Sequence, residues 1–167
     1  MKRLLNIITA LSLAALLTGC GYSLAMKTGL LEGRDVQVGI FANRTYQPDV
    51  EAKLRLAMVN ELMARGERPV TSEANLTVTG EVEKLIVETV AYSAVDKAML
   101  YRVTIAVNAQ LLDKKSGRIL WKGGETLSQD YPATLDLALQ KNARDAAVAE
   151  ICKSISKVLL ARMNQTF

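Results

Sequence analysis

Histidine is absent from this 167-residue chain, which removes several classes of function at once. Serine and cysteine nucleophiles are commonly activated by a histidine base, so neither a Ser-His-Asp nor a Cys-His site can form. The usual zinc sites need histidine or several cysteines, and the chain has only two cysteines. No pair of carboxylates is isolated in an apolar segment, as a tuned acid and base would be. The composition predicts a protein without enzymatic activity, a metal or a cofactor.

A strong excess of charge of one sign is also missing. The formal net charge is +4, and two of the 21 basic residues are Lys2 and Arg3 at the amino terminus. A nucleic-acid-binding domain usually carries a far more basic surface. We therefore expect no nucleic acid among the partners.

An intramolecular disulfide would need both cysteines, so it cannot form if Cys20 is modified in another way. Cys152 stands among Val148, Ile151 and Ile155 at helical spacing, which favours a small buried side chain. A reactive thiol is the weaker alternative, because no histidine is available to activate it.

The amino-terminal segment has the regions of a secretory signal. Lys2 and Arg3 are the only charged residues before Lys27, and an apolar run follows at residues 4–17. This run is shorter than the roughly 20 apolar residues that span a bilayer, and small residues end it. The alternatives are a weak anchor helix, or an ordinary signal followed by a chance cysteine.

"LTGC", residues 17–20, resembles a bacterial lipobox. The resemblance implies cleavage before Cys20 and attachment of lipid to the thiol and the new amino terminus. Residue 21 is glycine rather than aspartate, so the signal for retention at the inner membrane is absent. These features predict a lipid-anchored protein on the periplasmic side of the outer membrane, with residues 1–19 as the lipoprotein signal peptide.

Alternating apolar residues predict four strands. The clearest is "YRVTIAVNAQLLD", residues 101–113, in which every second side chain from Tyr101 to Leu111 is apolar. A change of phase after Val82 predicts a β-bulge near Lys84. The four predicted strands cover residues 35–42, 76–87, 101–113 and 118–127.

Helical spacing predicts two amphipathic helices. The first covers residues 49–65 and ends at Gly66, and the second covers residues 134–163. The apolar stripe predicted for the second helix consists of Leu135, Ala138, Leu139, Ala146, Val148, Ile151, Ile155, Val158 and Leu159.

The element order β-α-β-β-β-α predicts an α+β fold. We expect a two-layer sandwich, with two helices packed on one face of a mostly antiparallel four-stranded sheet. This single domain would cover residues 35–167, after a lipidated tether at residues 20–34.

Basic and acidic residues are separated along the predicted strands. Residues 97–122 carry six basic residues against one acidic residue, whereas residues 73–96 are mainly acidic. One interpretation is cross-strand pairing of opposite charges. The other is a hairpin that meets phosphate groups, for which lipopolysaccharide is the abundant candidate at an outer membrane. The candidate contact residues in this segment are Lys97, Arg102, Lys114 and Lys115.

Three pieces of the chain resemble the LptE family of lipopolysaccharide-assembly lipoproteins. They are "CGYSL" (residues 20–24), "YRVTIAVNAQLLD" (residues 101–113) and "ALQKNARDAAV" (residues 138–148). The element order also agrees with that family over the whole mature chain.

The resemblance implies a protein that plugs an LptD-type outer-membrane β-barrel, helps the barrel to fold and contacts lipopolysaccharide. Lys141 matches the family's lysine implicated in that contact, and an ordinary solvated lysine is the alternative. Lys97 is the nearest candidate for a second basic residue before the central strand, although its spacing differs. The chain has Ala25 where many members carry a basic residue.

A role in another envelope machine stays open at this point. "VGIFANRT", residues 38–45, also fits lipoproteins that act as pilots of secretion pores or activators of cell-wall synthases. A periplasmic enzyme is disfavoured by the missing histidine.

Overall fold

Two helices and five strands make up the described part of the chain. The computed structural model describes residues 29–71, 74–95 and 97–165. In chain order the elements are strand β1 (Asp35–Asn43), helix α1 (Val50–Ala64), strands β2 (Arg68–Val70), β3 (Leu76–Tyr92), β4 (Ala98–Asp113) and β5 (Arg118–Pro132), and helix α2 (Leu137–Asn164). The α+β class is confirmed.

The sheet is mixed and five-stranded, in the order β2-β1-β3-β4-β5. Strand β1 is parallel to β2 and β3, while the other two pairs are antiparallel. The prediction of a mostly antiparallel four-stranded sheet was therefore wrong in two respects. Strand β2 has only three residues, too few to show an alternation of apolar and polar side chains. It contains Pro69, which is tolerated because β2 is an edge strand. Strands β1 and β3 are neighbours joined through α1, and such a crossover connects parallel strands.

Both helices cover one face of this sheet. The alternate residues Val103, Ile105 and Val107 of β4 are buried beneath them, and Leu54 and Met58 of α1 complete the same core. Side chains on the other face are more exposed and form polar pairs, such as the hydroxyls of Thr104 and Ser128 at 2.7 Å. The two-layer arrangement leaves this second face without a covering layer among the described residues.

The predicted bulge lies where the sequence pattern indicated it. The pairing of β3 with β4 shifts register between Val82 and Lys84. An extra residue on one strand changes which side chains face the core, and this accounts for the phase change in the sequence.

Helix α2 begins later than its apolar spacing predicted. Its N-cap is Asp136, whose carboxylate accepts hydrogen bonds from the backbone N–H groups of Ala138 (2.8 Å) and Leu139 (3.1 Å). Leu135 precedes the helix and is 93% exposed, and the first buried residue of α2 is Ala147. The prediction that Leu135, Ala138, Leu139 and Ala146 belong to a buried stripe was therefore wrong, since all four are exposed. Helical spacing alone does not reveal how far the sheet extends beneath the helix.

Strand β4 connects the two ends of the molecule. The distal end comprises the end of β3, the start of β4 and the segment from the end of β5 to the first turns of α2. There the N–H of Ala133 donates to the carbonyl of Met99 (3.0 Å), and Val87, Tyr101, Leu137 and Lys141 line one cleft. At the tether end, residues 29–34 lie beside the β4–β5 turn at residues 114–117. Strand β4 has 16 residues, so the two ends are about 50 Å apart at roughly 3.3 Å per residue.

Candidate functional site at the distal end

Large apolar side chains are unusually exposed at the distal end. Leu137 is 85% exposed and Val95 is 71% exposed, although residues of these types are normally buried. The exposed apolar residues of this end are Val87, Val90, Tyr92, Val95, Met99, Leu135, Leu137 and Leu139. Exposed apolar side chains grouped at one end of a domain mark an interaction site more often than an ordinary solvated surface.

Lys141 and Lys97 lie at this same end. The ammonium of Lys141 is exposed and forms an ion pair with Asp145, 2.8 Å from its carboxylate, which also lies 3.6 Å from Lys53. The hydrogen bond from Lys141 is the main cause that lowers the pKa of Asp145. Lys97 is exposed in the β3–β4 connection, where its backbone N–H donates to the hydroxyl of Ser93 (3.2 Å). Two exposed lysines therefore lie at the end of the molecule that carries the exposed apolar residues.

A cleft of about 320 Å³ lies beneath the start of α2. Tyr101 and Tyr131 line it as a stacked pair with ring centroids 5.6 Å apart, and Leu137, Lys141 and Arg144 also line it. Burial is the main cause that raises the pKa of Tyr131. The cleft combines an aromatic wall with two cationic side chains.

Arg144 was missed by the sequence reasoning. It lies in "ALQKNARDAAV", but only the lysine of that piece stood out. Its Nε is buried and has no hydrogen-bond partner among the described residues, and it also lines a second cleft beside the β1–α1 connection. Its spacing from Lys141, three residues along a helix, could have revealed it, since such residues share one face.

Arg102 faces the opposite side of the sheet from Lys141. Its Nε and Nη2 donate to the two carboxylate oxygens of Asp130 at 2.6 and 2.9 Å, and Glu88 lies opposite it on β3. The hydrogen bond from Arg102 lowers the pKa of the Asp130 carboxyl below its usual value. For this residue the structure shows the cross-strand pairing of opposite charges.

Lys114 and Lys115 lie at the tether end, about 50 Å from Lys97 by the length of β4. The ammonium of Lys114 donates to Oε1 of Gln37 (2.6 Å). Both lysines belong to a tight turn that Gly117 closes at φ 68°, donating its N–H to the carbonyl of Asp113 (2.8 Å). The five candidate cations therefore do not form one site.

Cys20 lies outside the described residues, whereas Cys152 is in the core. The Cys152 side chain is 1% exposed among α2 neighbours, and burial raises the pKa of its thiol to about 11. A thiol with that pKa is almost entirely protonated at neutral pH and is therefore a poor nucleophile. The interpretation of Cys152 as a buried packing residue is supported.

Other kinds of site find no support in the described residues. They contain no group of three or more potential metal ligands among cysteine, aspartate and glutamate. None of their helices is long and apolar enough to cross a bilayer.

Comparison with known families identifies the family to which the domain belongs. Residues 33–163 match the family described as LptE, lipopolysaccharide-assembly. This chain belongs to the LptE family. The match covers β1 through almost the end of α2, so it includes both ends of the domain. No curated protein matches the chain.

Solved structures share this fold with the LptE-family chain at low sequence identity. A lipoprotein from Caulobacter crescentus has a TM-score of 0.59 and 15% identity, covering 77% of this chain and 87% of its own. Rare lipoprotein B from Shewanella oneidensis has a TM-score of 0.56 and 15% identity, covering 79% and 95%. PelC from Paraburkholderia phytofirmans, a dodecamer, has a TM-score of 0.58 and 19% identity, covering 83% and 92%. At these identities the likeness concerns the fold alone.

Proposed function

We propose that this protein is a lipid-anchored outer-membrane lipoprotein that plugs an LptD-type β-barrel, supports its folding and contacts lipopolysaccharide without turning it over. Membership of the LptE family carries the assignment to lipopolysaccharide assembly. The distal end carries the proposed contact, because exposed apolar side chains and exposed lysines are adjacent there.

The chemistry of lipopolysaccharide fits that surface. Its lipid part carries phosphate groups next to acyl chains, so a complementary protein surface needs cations beside apolar groups. Lys141 lines the cleft and Lys97 is exposed at the same end, while Leu137 and the stacked tyrosines provide apolar area. Arg144 adds a guanidinium, which recognises phosphate through two parallel hydrogen bonds.

The barrel partner can be tested by purification. We expect tagged full-length protein from detergent-solubilised outer membrane to recover one large β-barrel protein together with lipopolysaccharide. Recovery of a secretin or a multidomain cell-wall synthase instead would contradict the proposal and favour a role in another envelope machine.

Reversing the two distal lysines should separate lipopolysaccharide contact from barrel contact in the same purification. We expect K97E/K141E to bind lipopolysaccharide at least about tenfold more weakly, since two favourable charge contacts of roughly 1 kcal/mol each become repulsive. Circular dichroism should show an unchanged fold, because both side chains are exposed. The matched control K122E/K153E makes the same charge change at exposed positions outside the distal end. If the folded K97E/K141E variant binds lipopolysaccharide as strongly as wild type, neither lysine contacts it and both are ordinary solvated side chains.

A further inference from the structure

The tether end contains a polar cleft of about 430 Å³ between the turn before β1 and the β4–β5 turn. Arg34, Arg68 and Lys115 line it together with Asp35 and Asp113, so three cationic side chains from three separate segments converge beside two carboxylates. The side chains of Lys114 and Arg118 are both exposed. Lys114 lies in the β4–β5 turn, and Arg118 directly follows that turn. This grouping cannot be read from the sequence, in which Arg34 and Lys115 are far apart.

Three carboxylates at the tether end are already engaged by donors, whereas Oε2 of Glu67, a side chain beside Gly33, is buried without a hydrogen-bond partner among the described residues. Asp35 is 3.2 Å from Nε of Arg68, and Asp113 accepts hydrogen bonds from the hydroxyl of Ser116 (2.8 Å) and the N–H of Lys115 (2.9 Å). Glu32 accepts a hydrogen bond from the N–H of Gly29 at 3.3 Å. By contrast, the described residues provide no hydrogen-bond partner for the Lys115 ammonium or the Arg118 guanidinium. These two cations are available to an external anion.

The position of this end relative to the anchor is restricted by packing. Leu31 is 1% exposed in the core, and its N–H donates to the side-chain oxygen of Asn164 (3.3 Å). The chain therefore joins the domain at a defined point, beside the end of α2. Cys20 is nine residues before Gly29, and a fully extended chain of that length reaches about 30 Å. A lipid on Cys20 would hold the tether end, rather than the distal end, near its leaflet.

We propose that the tether end is a second, non-covalent membrane contact, in which this cleft takes the phosphate headgroup of an anionic phospholipid from the leaflet that holds the lipid anchor. Arg34, Arg68 and Lys115 hold the phosphate, and Lys114 and Arg118 attract neighbouring headgroups. Basic residues next to a lipid anchor add electrostatic attraction to the headgroups of anionic membranes. The inference rests on lipid attachment at Cys20 and is independent of the barrel and of lipopolysaccharide.

Vesicle flotation tests this inference with the whole mature chain, residues 20–167, carrying Cys20→Ala so that no covalent lipid contributes. The vesicles contain phosphatidylcholine alone or phosphatidylcholine with phosphatidylglycerol, and no glycolipid. We expect binding to the anionic vesicles to exceed binding to the neutral ones at least about tenfold, and to weaken as salt is raised. Equal binding to both kinds of vesicle would overturn the inference.

Variants then locate the contact. R34E/K115E should reduce binding to the level of neutral vesicles, whereas K84E/K153E, with the same change of charge elsewhere, should retain the wild-type preference. The milder variant R34Q/K115Q should bind at an intermediate level, and it covers the case in which charge reversal disturbs the fold. If both variants fold and still bind anionic vesicles as strongly as wild type, the assignment of the lipid contact to this cleft is overturned. Because no glycolipid or barrel is present, these outcomes are distinct from failure of the proposed function.

Discussion

Replacing Cys20 with alanine is expected to abolish lipid attachment completely and to leave the precursor uncleaved. The proposed lipid is attached through a thiol, and the alanine side chain provides none. The chain has only one other cysteine. Cys152 cannot substitute, because it is buried in the core and its thiol has a raised pKa of about 11. The measurement is metabolic labelling with a fatty acid, together with the mass of the protein.

Cys152→Ala is the matched control for that experiment. It removes a thiol that the structure places in the core, so we expect normal labelling and cleavage with some loss of stability. A Cys20→Ala protein that is still labelled and matured would refute the lipobox interpretation. Labelling lost in both variants would instead show that the folded domain is needed for processing.

Loss of the anchor should also change where the protein is found. Without a cleavable lipoprotein signal, Cys20→Ala is expected to remain attached through its apolar segment in the inner-membrane fraction. Fractionation of the two membranes measures this, with wild type expected in the outer membrane. The observation would separate the lipid anchor from binding to a barrel, since a barrel-bound protein would stay in the outer membrane.

Gly80→Ala is expected to destabilise the domain by about 3 kcal/mol, at the upper end of the range for inserting a methyl group into a packed core. A Cβ on Gly80 would overlap the carbonyl oxygen of Asn108 and lie 2.9 Å from the Cα of Ala109. Both atoms belong to the backbone of β4, the central partner of β3, so they cannot rotate away. The same Cβ would lie 2.8 Å from the buried ring of Phe41. Urea unfolding gives the free energy of unfolding.

Gly66→Ala is the comparison that isolates the clash. Gly66 follows α1 with φ 78°, and no atom lies within 4 Å of the position that an added methyl group would take, so alanine would add only backbone strain. That strain costs about 1 kcal/mol. If Gly80→Ala lost no more stability than Gly66→Ala, the close approach of β3 to β4 would be contradicted.

The predictability of each element depended on how much of its contact pattern is local. Strand β4 was found from sequence because its two neighbours are long antiparallel strands, and alternate side chains face one core. The bulge near Lys84 was found for the same reason. Strand β2 left no signal, because three residues at an edge bury too little to create an alternation.

The candidate site was predicted less well than the fold. Lys141 and Lys97 were chosen in the sequence and do lie at one end, but Lys114 and Lys115 lie at the other, and Arg102 faces a different side. Arg144 escaped attention because its burial beside Tyr131 depends on how α2 crosses the sheet. The exposure of Leu135 and Leu139 was not predicted, because their helical spacing indicated a buried face. Spacing does not show that the start of α2 extends beyond the core.

The sequence by itself determined the signal-like segment, the absence of a histidine-based site, the α+β class and the resemblance to LptE, because these depend on composition, order and short-range periodicity. Only the tertiary structure decided which cations share an end, which apolar residues stay exposed and which carboxylates are already paired. Those properties arise when the sheet brings distant segments together. Strand β4 also separates Lys97 from Lys114 and Lys115 by about 50 Å, although all three belong to one basic segment of the sequence.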